Sequence, residues 1–426
     1  MSSETQAPSF QNAWRLETPG PPDWPRSARP GASNKYFMVS ADSHACEPPK
    51  YLAERIEPQY RERLPRVETR QDGSRFIISE GSRPQLVRPG RDWKQKHQVQ
   101  EQESFEKSSM AMPYSSRMEE EDLVRSRAGA GIENRDRDNT EDGIDTEVIF
   151  ANKGMLCYAT PDPVFAMAMC RAWNRWALDE FGAAFDRMLP MAMVCPGDLE
   201  GTNAEIEWAA EHGFKGLLLP NKPIYGPHQP GEVIYNDPCF EGLWSRIEEL
   251  GLPITLHVST GRDPRAVSGN GGAIINYVSH SMETTLEPLV QIISSGVLER
   301  HPRLRVGTVE SGIGWLPWML ETMDHAHRAH HMWVRPVLPR LPSEYYRSNC
   351  FSTFQLDPAG LDLIEERDLV DNVMWANDYP HHEGTWPHSA AAIERTMGGL
   401  REETRKKILG LNAARVFGIE VPAEGL

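Results

Sequence analysis

The 426-residue sequence predicts an α/β protein with the (β/α)8 TIM-barrel fold, an extended N-terminal arm and a long polar insertion after strand 1. Eight short apolar segments alternate along the chain with amphipathic segments, which is the strand-then-helix order of a parallel barrel. Continuous apolar runs such as 217–219 suit strands that are buried on both faces. Because such a barrel needs only about 250 residues, the surplus must lie in the arm and in insertions.

Each predicted strand is bounded by turn or helix-start residues. The eight strands are predicted at Tyr36–Ala41, Thr146–Ala151, Met188–Cys195, Lys215–Pro220, Pro253–Val258, Leu304–Glu310, Asn349–Phe354 and Asn372–Ala376. Helices are predicted from the spacing of apolar residues. They cover Pro163–Phe185, Leu199–His212, Pro238–Leu250, Met282–Arg300, Trp315–His327, Pro358–Glu366 and Ser389–Met397.

Three segments are expected to lie outside the barrel, which spans 36–421. Residues 1–35 are rich in proline and lack the apolar stretch of a secretory signal, so we expect an arm that lies on the body or on a neighbouring subunit. From about Glu57 to Asp142 the chain is polar, with a hairpin-like pair at 75–79 and 85–87. A lid, an oligomer contact and partial disorder remain open for this insertion. Residues 422–426 form a C-terminal tail.

The composition excludes two classes of partner. Lys and Arg total 45 and Asp and Glu total 61, so a net charge of −16 repels nucleic acid and anionic lipid. No apolar run approaches the roughly 18 residues of a membrane span. The six cysteines are far apart without a C-x-x-C pair, which favours free thiols in a reducing, cytoplasmic compartment. We expect a small-molecule substrate and, from the arm and insertion, a homo-oligomer (dimer or larger).

Polar residues end four of the predicted strands. Strand one ends in Asp42 and His44, strand five in His257, strand six in Glu310, and strand eight leads into Asp378. These ends share one face of a parallel barrel, and residues two apart on a strand project from the same side. Imidazole nitrogen together with carboxylate oxygen suits a divalent cation such as zinc or manganese. The pattern therefore predicts a metal site.

These segments also carry a resemblance. Val39–Pro48 resembles the opening of the amidohydrolase-related metal-dependent hydrolases of TIM-barrel fold, the group that includes aminocarboxymuconate semialdehyde decarboxylase and the resorcylate decarboxylases. Further matches follow in family order and span about 36–421. They are 142–147 for strand two, 256–257 for strand five, 310–317 for strand six and 377–381 for strand eight.

The resemblance implies one divalent metal ion, zinc or alternatively manganese, held by Asp42, His44, His257 and Asp378. It also implies that Asp378 moves protons between metal and substrate. Decarboxylases of the group usually have a histidine at the end of strand six, where this chain has Glu310. A carboxylate there would repel an arylcarboxylate unless it is protonated or paired, so it suits a general acid or an additional ligand better.

The sequence thus predicts a metal-dependent hydrolase that uses a metal-activated water on a small polar, aromatic or carboxylated substrate. Asp378 would take the proton of the water and pass it to the leaving group. The alternative is a non-oxidative metal-dependent decarboxylase, in which Asp378 protonates the ring carbon of an aromatic or unsaturated acid. A non-catalytic barrel that only binds is a third hypothesis, against which four intact ligands argue.

Three further residues have both a functional and a structural interpretation. His280 precedes a helix and serves either catalysis or capping. His381 lies close to Asp378 in sequence and is a candidate for substrate contact. Glu47 could orient His44, although the prolines after it also mark a helix start.

Two other clusters favour structural explanations. His325, His327, His330 and His331 fall at the far end of a predicted helix, where cations are stabilised by the helix dipole. The glycine-rich loop at 268–272 has no Lys-Ser/Thr after it, so a mobile loop over the pocket is favoured over phosphate binding.

Overall fold

The computed structural model describes residues 36–48, 50–81, 84–87, 131–227, 229–260, 267, 270–381, 384–386 and 389–422. The predicted arm and most of the insertion lie outside these residues, as does the tail from residue 423. The strands are β1 (Val39–His44), β2 (Arg66–Thr69), β3 (Arg75–Ile78), β4 (Gln85–Val87), β5 (Thr146–Phe150), β6 (Met188–Pro190), β7 (Ala192–Met193), β8 (Leu217–Leu219), β9 (Ile254–His257), β10 (Val306–Val309), β11 (Cys350–Phe354) and β12 (Val373–Trp375).

Helices follow most of the strands in alternation, as the sequence predicts. The helices are α1 (Ile132–Asp142), α2 (Pro163–Phe181), α3 (Leu199–Glu211), α4 (Glu241–Leu250), α5 (Gly272–Ile275), α6 (Met282–Ser294), α7 (Val297–Arg300), α8 (Leu316–Ala329), α9 (Pro342–Asn349), α10 (Pro358–Ile364), α11 (Ser389–Met397), α12 (Glu402–Lys406) and α13 (Asn412–Phe417). Shorter 3-10 turns include Pro58–Arg63 and Lys153–Tyr158, and π-helical turns lie at Asn276–Ser281 and Lys407–Leu411. None of the described helices is long and apolar enough to cross a membrane.

The parallel strands form two sheets in sequence order, β1-β5-β6 and β7-β8-β9-β10-β11-β12. Each of the eight predicted strand segments overlaps a strand, although β1 extends to His44, beyond its predicted end at Ala41, and the segment predicted at 188–195 contains two strands. Met191 lies between β6 and β7, and its backbone N–H donates to the Ile149 carbonyl (2.9 Å). These strands are buried throughout, which explains their continuous apolar character.

The first and last parallel strands meet where the polar residues lie. Ser43 forms a parallel bridge with Tyr379, just after β12. The N–H of Asp378 donates to the Asp42 carbonyl (3.1 Å), and the N–H of His44 donates to the Tyr379 carbonyl (2.6 Å). The chain is therefore an α/β protein with two parallel sheets, an order of strands that is consistent with a TIM barrel.

The insertion contains more regular structure than its sequence indicates. The predicted hairpin is present as β3 and β4, and β2 adds a third antiparallel strand. Helix α1, at the end of the same polar stretch, was not predicted. Its apolar content is low, and its buried positions are polar ones: Arg135, Asp138, Asn139 and Asp142. A helix that buries polar residues gives no apolar periodicity to detect.

The six cysteines are free thiols, and four of them are buried, in agreement with the prediction from their spacing. Burial raises the pKa of Cys195 to about 12, which keeps this thiol protonated and unreactive at neutral pH.

Candidate metal centre

The polar residues at the ends of β1 and β9 converge with those that follow β10 and β12. Ligand atoms of Asp42, His44, His257 and Glu310 all lie within 4.8 Å of one another. A second set, His44, Glu310, Asp378 and His381, satisfies the same distance. The structure thus brings together the residues that the sequence singled out at strand ends.

The two imidazoles face three carboxylates. His257 Nε2 lies 3.3 Å from Asp42 Oδ1 and 3.4 Å from Glu310 Oε2. His44 Nε2 lies 3.6 Å from Asp42 Oδ1, 3.6 Å from Glu310 Oε2 and 3.4 Å from Asp378 Oδ1. All five side chains are buried, so these charges are poorly screened by water.

The carboxylates favour positive charge at the centre of the cluster. Burial lowers the pKa of His44 to about 4, although Asp42 opposes this. Burial also acts to lower the pKa of His257, but the carboxylates of Asp42 and Glu310 outweigh it and raise that pKa to about 9. A divalent cation would supply the same positive charge and leave both imidazoles neutral.

The donor atoms fit such a cation. Asp42 Oδ2 and His44 Nε2 are buried and make no hydrogen bond to any described residue. The other nitrogens of the two rings are oriented by backbone carbonyls, since His44 Nδ1 lies 3.2 Å from the Ala151 oxygen and His257 Nδ1 lies 2.9 Å from the Val258 oxygen. With the protons on Nδ1, both Nε2 atoms present lone pairs to the centre.

Two of the carboxylate residues have a left-handed backbone. Glu310 has φ 59° and Asp378 has φ 55°, a conformation that costs a non-glycine residue about 1–3 kcal/mol. The N–H of Glu310 is held by Thr353 Oγ1 (3.0 Å), as that of Asp378 is by Asp42. This conformation lowers the stability of the folded chain and turns these side chains toward the cluster.

A buried ion pair that was not predicted from the sequence contacts the strand that carries Asp42 and His44. Arg135 of α1 and Glu147 of β5 are both fully buried, with Arg135 Nε and Nη2 donating to the two Glu147 oxygens (2.9 and 2.6 Å). Arg135 Nη1 also donates to the His44 carbonyl (2.7 Å), and Nη2 donates to Ser43 Oγ (3.1 Å). Helix α1 thus fixes the end of β1.

The same helix holds the segment after β12. Tyr379 Oη donates to Asp138 Oδ2 (2.7 Å), and Asn377 Nδ2 donates to Asp142 Oδ2 (3.2 Å). The sequence signal for α1 was Gly143, which has φ 85° and ends the helix as a C-cap. Recognising that cap would have placed a helix before it, with polar residues at helical spacing on one side.

The sequence suggested that Glu47 orients His44, but the hydrogen bonds that Glu47 Oε1 accepts come from other groups. Its Oε1 accepts from the backbone N–H groups of Asn152 and Gly154 and from the Trp173 indole (2.9, 3.0 and 3.0 Å). Glu47 therefore positions the turn after β5, and the orientation of His44 comes from the Ala151 carbonyl.

A cavity of about 520 Å³ opens above the cluster. Both histidines predicted to contact substrate line it. His381 stacks on His44 with 4.0 Å between ring centroids, and His280 lies on the π-helical turn with Nδ1 3.2 Å from Asn276 Oδ1. His280 does not cap a helix, because the π-helical turn that contains it continues directly into α6.

The rival histidine cluster does not form a metal site in the described part of the chain. His327 and His330 lie at the end of α8, where His327 Nε2 contacts the Leu338 carbonyl (3.2 Å) and His330 stacks on Trp333. None of the four histidines belongs to a group that could hold a metal ion among the described residues. The glycine-rich loop at 268–272 falls partly outside the described residues.

Comparison with known proteins identifies the family. The sequence model of the amidohydrolase family matches residues 148–419, more than half of the chain. The search of curated protein sequences found no match to this chain.

Several solved structures share the fold. An amidohydrolase from Mycobacterium avium subsp. paratuberculosis is 19% identical with a TM-score of 0.71, over 91% of this chain and 99% of that one. A 5-carboxyvanillate decarboxylase from Novosphingobium aromaticivorans, which contains bound manganese, is 18% identical with a TM-score of 0.62, over 93% and 100%. A 2,6-dihydroxybenzoate decarboxylase from Rhizobium is 19% identical with a TM-score of 0.58, over 90% and 99%. At these identities the likeness is one of fold.

Proposed function

The chain belongs to the amidohydrolase family of metal-dependent enzymes, and we propose that it is a non-oxidative decarboxylase of an aromatic carboxylic acid. The observation that carries the proposal is the cluster of metal-type ligands at the base of a cavity large enough for a substituted benzoate. The fold shared with aromatic acid decarboxylases supports it. The sequence alone favoured hydrolysis and gave decarboxylation as the alternative, and the proposal reverses that order.

The ligand set would comprise Asp42, His44 and His257, with Asp378 or Glu310 completing it. Both zinc and manganese suit imidazole and carboxylate donors, and the manganese of the 5-carboxyvanillate decarboxylase makes manganese the first ion to test. When bound, the ion would supply positive charge that fixes the carboxylate and an adjacent hydroxyl of the substrate. As part of the same proposal, β1 and β12 close the parallel strands into one barrel.

Asp378 is the proton donor in this mechanism. It is fully buried, with Oδ1 3.4 Å from His44 Nε2 and 3.7 Å from His381 Nδ1. Its protonated carboxyl delivers the proton to the ring carbon that bears the carboxylate. The bond between this carbon and the carboxylate then breaks, its electron pair restores the aromatic ring, and carbon dioxide leaves. His381, which is partly exposed, connects Asp378 with solvent for the return of a proton.

Glu310 favours hydrolysis as a second candidate. Its carboxylate reaches both imidazoles, so with Asp42 and Asp378 the cluster holds three acidic groups around the position of one ion. This arrangement repels an anionic substrate unless a proton is shared, but it suits the activation of a water molecule on a neutral ester or amide.

Product analysis tests the proposal. The manganese-reconstituted protein is incubated with carboxyl-labelled 2,6-dihydroxybenzoate and, separately, with neutral aryl esters and amides. Release of labelled carbon dioxide with resorcinol supports the decarboxylase. A new carboxylate with an alcohol or amine, and no carbon dioxide from the acid, overturns it in favour of the hydrolase.

A further inference from the structure

We infer that Ile77, on the antiparallel β2-β3-β4 sheet, is a specificity-determining residue that contacts the substrate ring and limits its size. The inference rests on the proposed function and deepens it. Ile77 lines the cavity above the metal ligands, yet it lies outside residues 148–419 that the family model matches. The chain's own insertion therefore supplies part of the pocket wall.

The position of Ile77 follows from the pairing of its strand. β3 is the central strand of the sheet, with Ile77 opposite Val67 of β2 and Gln85 of β4. Ile77 is half-buried, whereas its neighbour Val67 is 48% exposed and does not line the cavity. A branched aliphatic side chain at a cavity wall, held from both sides by strand pairing, has little freedom to move aside.

The sheet is fixed to the body at the end of β3. A Cβ on Gly81 would lie 2.4 Å from the Ala159 carbonyl oxygen, so the two backbones are in close contact there. Arg63 donates to Glu80 (2.6 Å) and to Asp162 at the start of α2 (2.8 Å). These contacts hold Ile77 at a set distance from the body, so a substitution at Ile77 changes the cavity and leaves the attachment intact.

Ile77 shares the lining of the cavity with other apolar side chains. Met155 and Leu156, on the 3-10 turn after β5, and Val258, after β9, line the same cavity. An apolar wall above a polar, charged base accepts the ring of an aromatic acid whose carboxylate points down to the metal ligands. As part of this wall, Ile77 would contact the edge of the substrate ring and limit the size of the ring on that side.

The test compares the chain with Ile77→Ala, Ile77→Trp and the matched control Val67→Ala, all reconstituted with manganese. The two probes are 2-hydroxybenzoate and 3-hydroxy-2-naphthoate. Ile77→Ala should raise kcat/KM for the naphthoate relative to the benzoate by about tenfold, and Ile77→Trp should raise KM for both. Val67→Ala should leave the ratio unchanged. Equal ratios in Ile77→Ala and Val67→Ala, with metal content and thermal unfolding as in the natural chain, overturn the inference while the function stands.

Calorimetric binding of the same two acids separates the two proposals. If no acid is decarboxylated but Ile77→Ala still shifts the binding ratio toward the naphthoate, the proposed function fails and the role of Ile77 is supported. If the ratio of affinities is unaltered, or if neither acid binds, the inference is overturned.

Discussion

Two arginines of the insertion pair with glutamates, Arg135 with Glu147 of β5 next to the candidate metal centre, and Arg63 with Glu80 within the insertion itself. Arg135 and Glu147 are both 0% exposed, whereas Arg63 and Glu80 are 32% and 36% exposed. A fully buried charge has no water to replace a lost partner, whereas a partly exposed charge is solvated when its partner is removed. The same residue types thus form a buried pair at the base of the site and a water-screened pair on the β2-β3-β4 sheet, which forms its rim.

The largest effect should come from removing the ligands that the base presents. The double variant His44→Ala with His257→Ala should fall from about one divalent ion per chain to near none, because two imidazole donors are lost. Elemental analysis after reconstitution measures this. The matched control is His327→Ala with His330→Ala, which lies outside the cluster and should retain the ion. Equal metal content in both double variants would contradict the site.

Next in size is the loss of the proton donor at Asp378. Asp378→Asn retains the shape and one ligand oxygen but cannot carry the proton, so turnover should fall by about 10²–10⁴ while most of the metal is retained. Rate and metal content are measured on the same preparation. Complete loss of metal would assign Asp378 to ligation, and full activity would rule out the mechanism.

The two ion pairs can be compared directly by unfolding in urea. Arg135→Met leaves Glu147 buried without its charge partner and should lower the free energy of unfolding by about 3–5 kcal/mol. Arg63→Met at the exposed pair should cost about 0–1 kcal/mol. Similar losses in the two variants would erase the distinction between base and rim.

The smallest effect concerns the pH dependence of the rim. The hydrogen bond from Arg63 lowers the pKa of Glu80 below its ordinary value of 4.5. A carboxyl whose pKa is lower in the folded state contributes stability above the unfolded value, and the contribution is lost as the pH falls through the folded value. The natural chain should therefore exceed Glu80→Gln in free energy of unfolding by about 0.2–1 kcal/mol at neutral pH, with a smaller difference near pH 3. A difference that grows on acidification would contradict this sign.

The base of the site was predictable from the sequence because its signals are local. Asp42, His44 and His257 directly end buried apolar strands, so strand prediction alone places them on one face. Arg135 escaped notice because a charged residue in a charged segment is usually solvated, and only the tertiary structure buries it. Ile77 escaped notice because nothing within a short hairpin indicates the surface on which it packs. The left-handed backbone of Glu310 and Asp378 has no sequence signal, since neither residue type requires it.

The left-handed backbone at Glu310 has an evolutionary consequence. Asparagine, aspartate and histidine adopt this conformation more readily than most residues, and histidine is the usual residue at this strand end in the decarboxylases that the sequence resembles. Histidine could therefore stand at position 310 with less backbone strain than glutamate carries there, so the path of the main chain does not bar an exchange between imidazole and carboxylate at this strand end. The identity of this one side chain can thus change during evolution while the neighbouring ligands stay where they are.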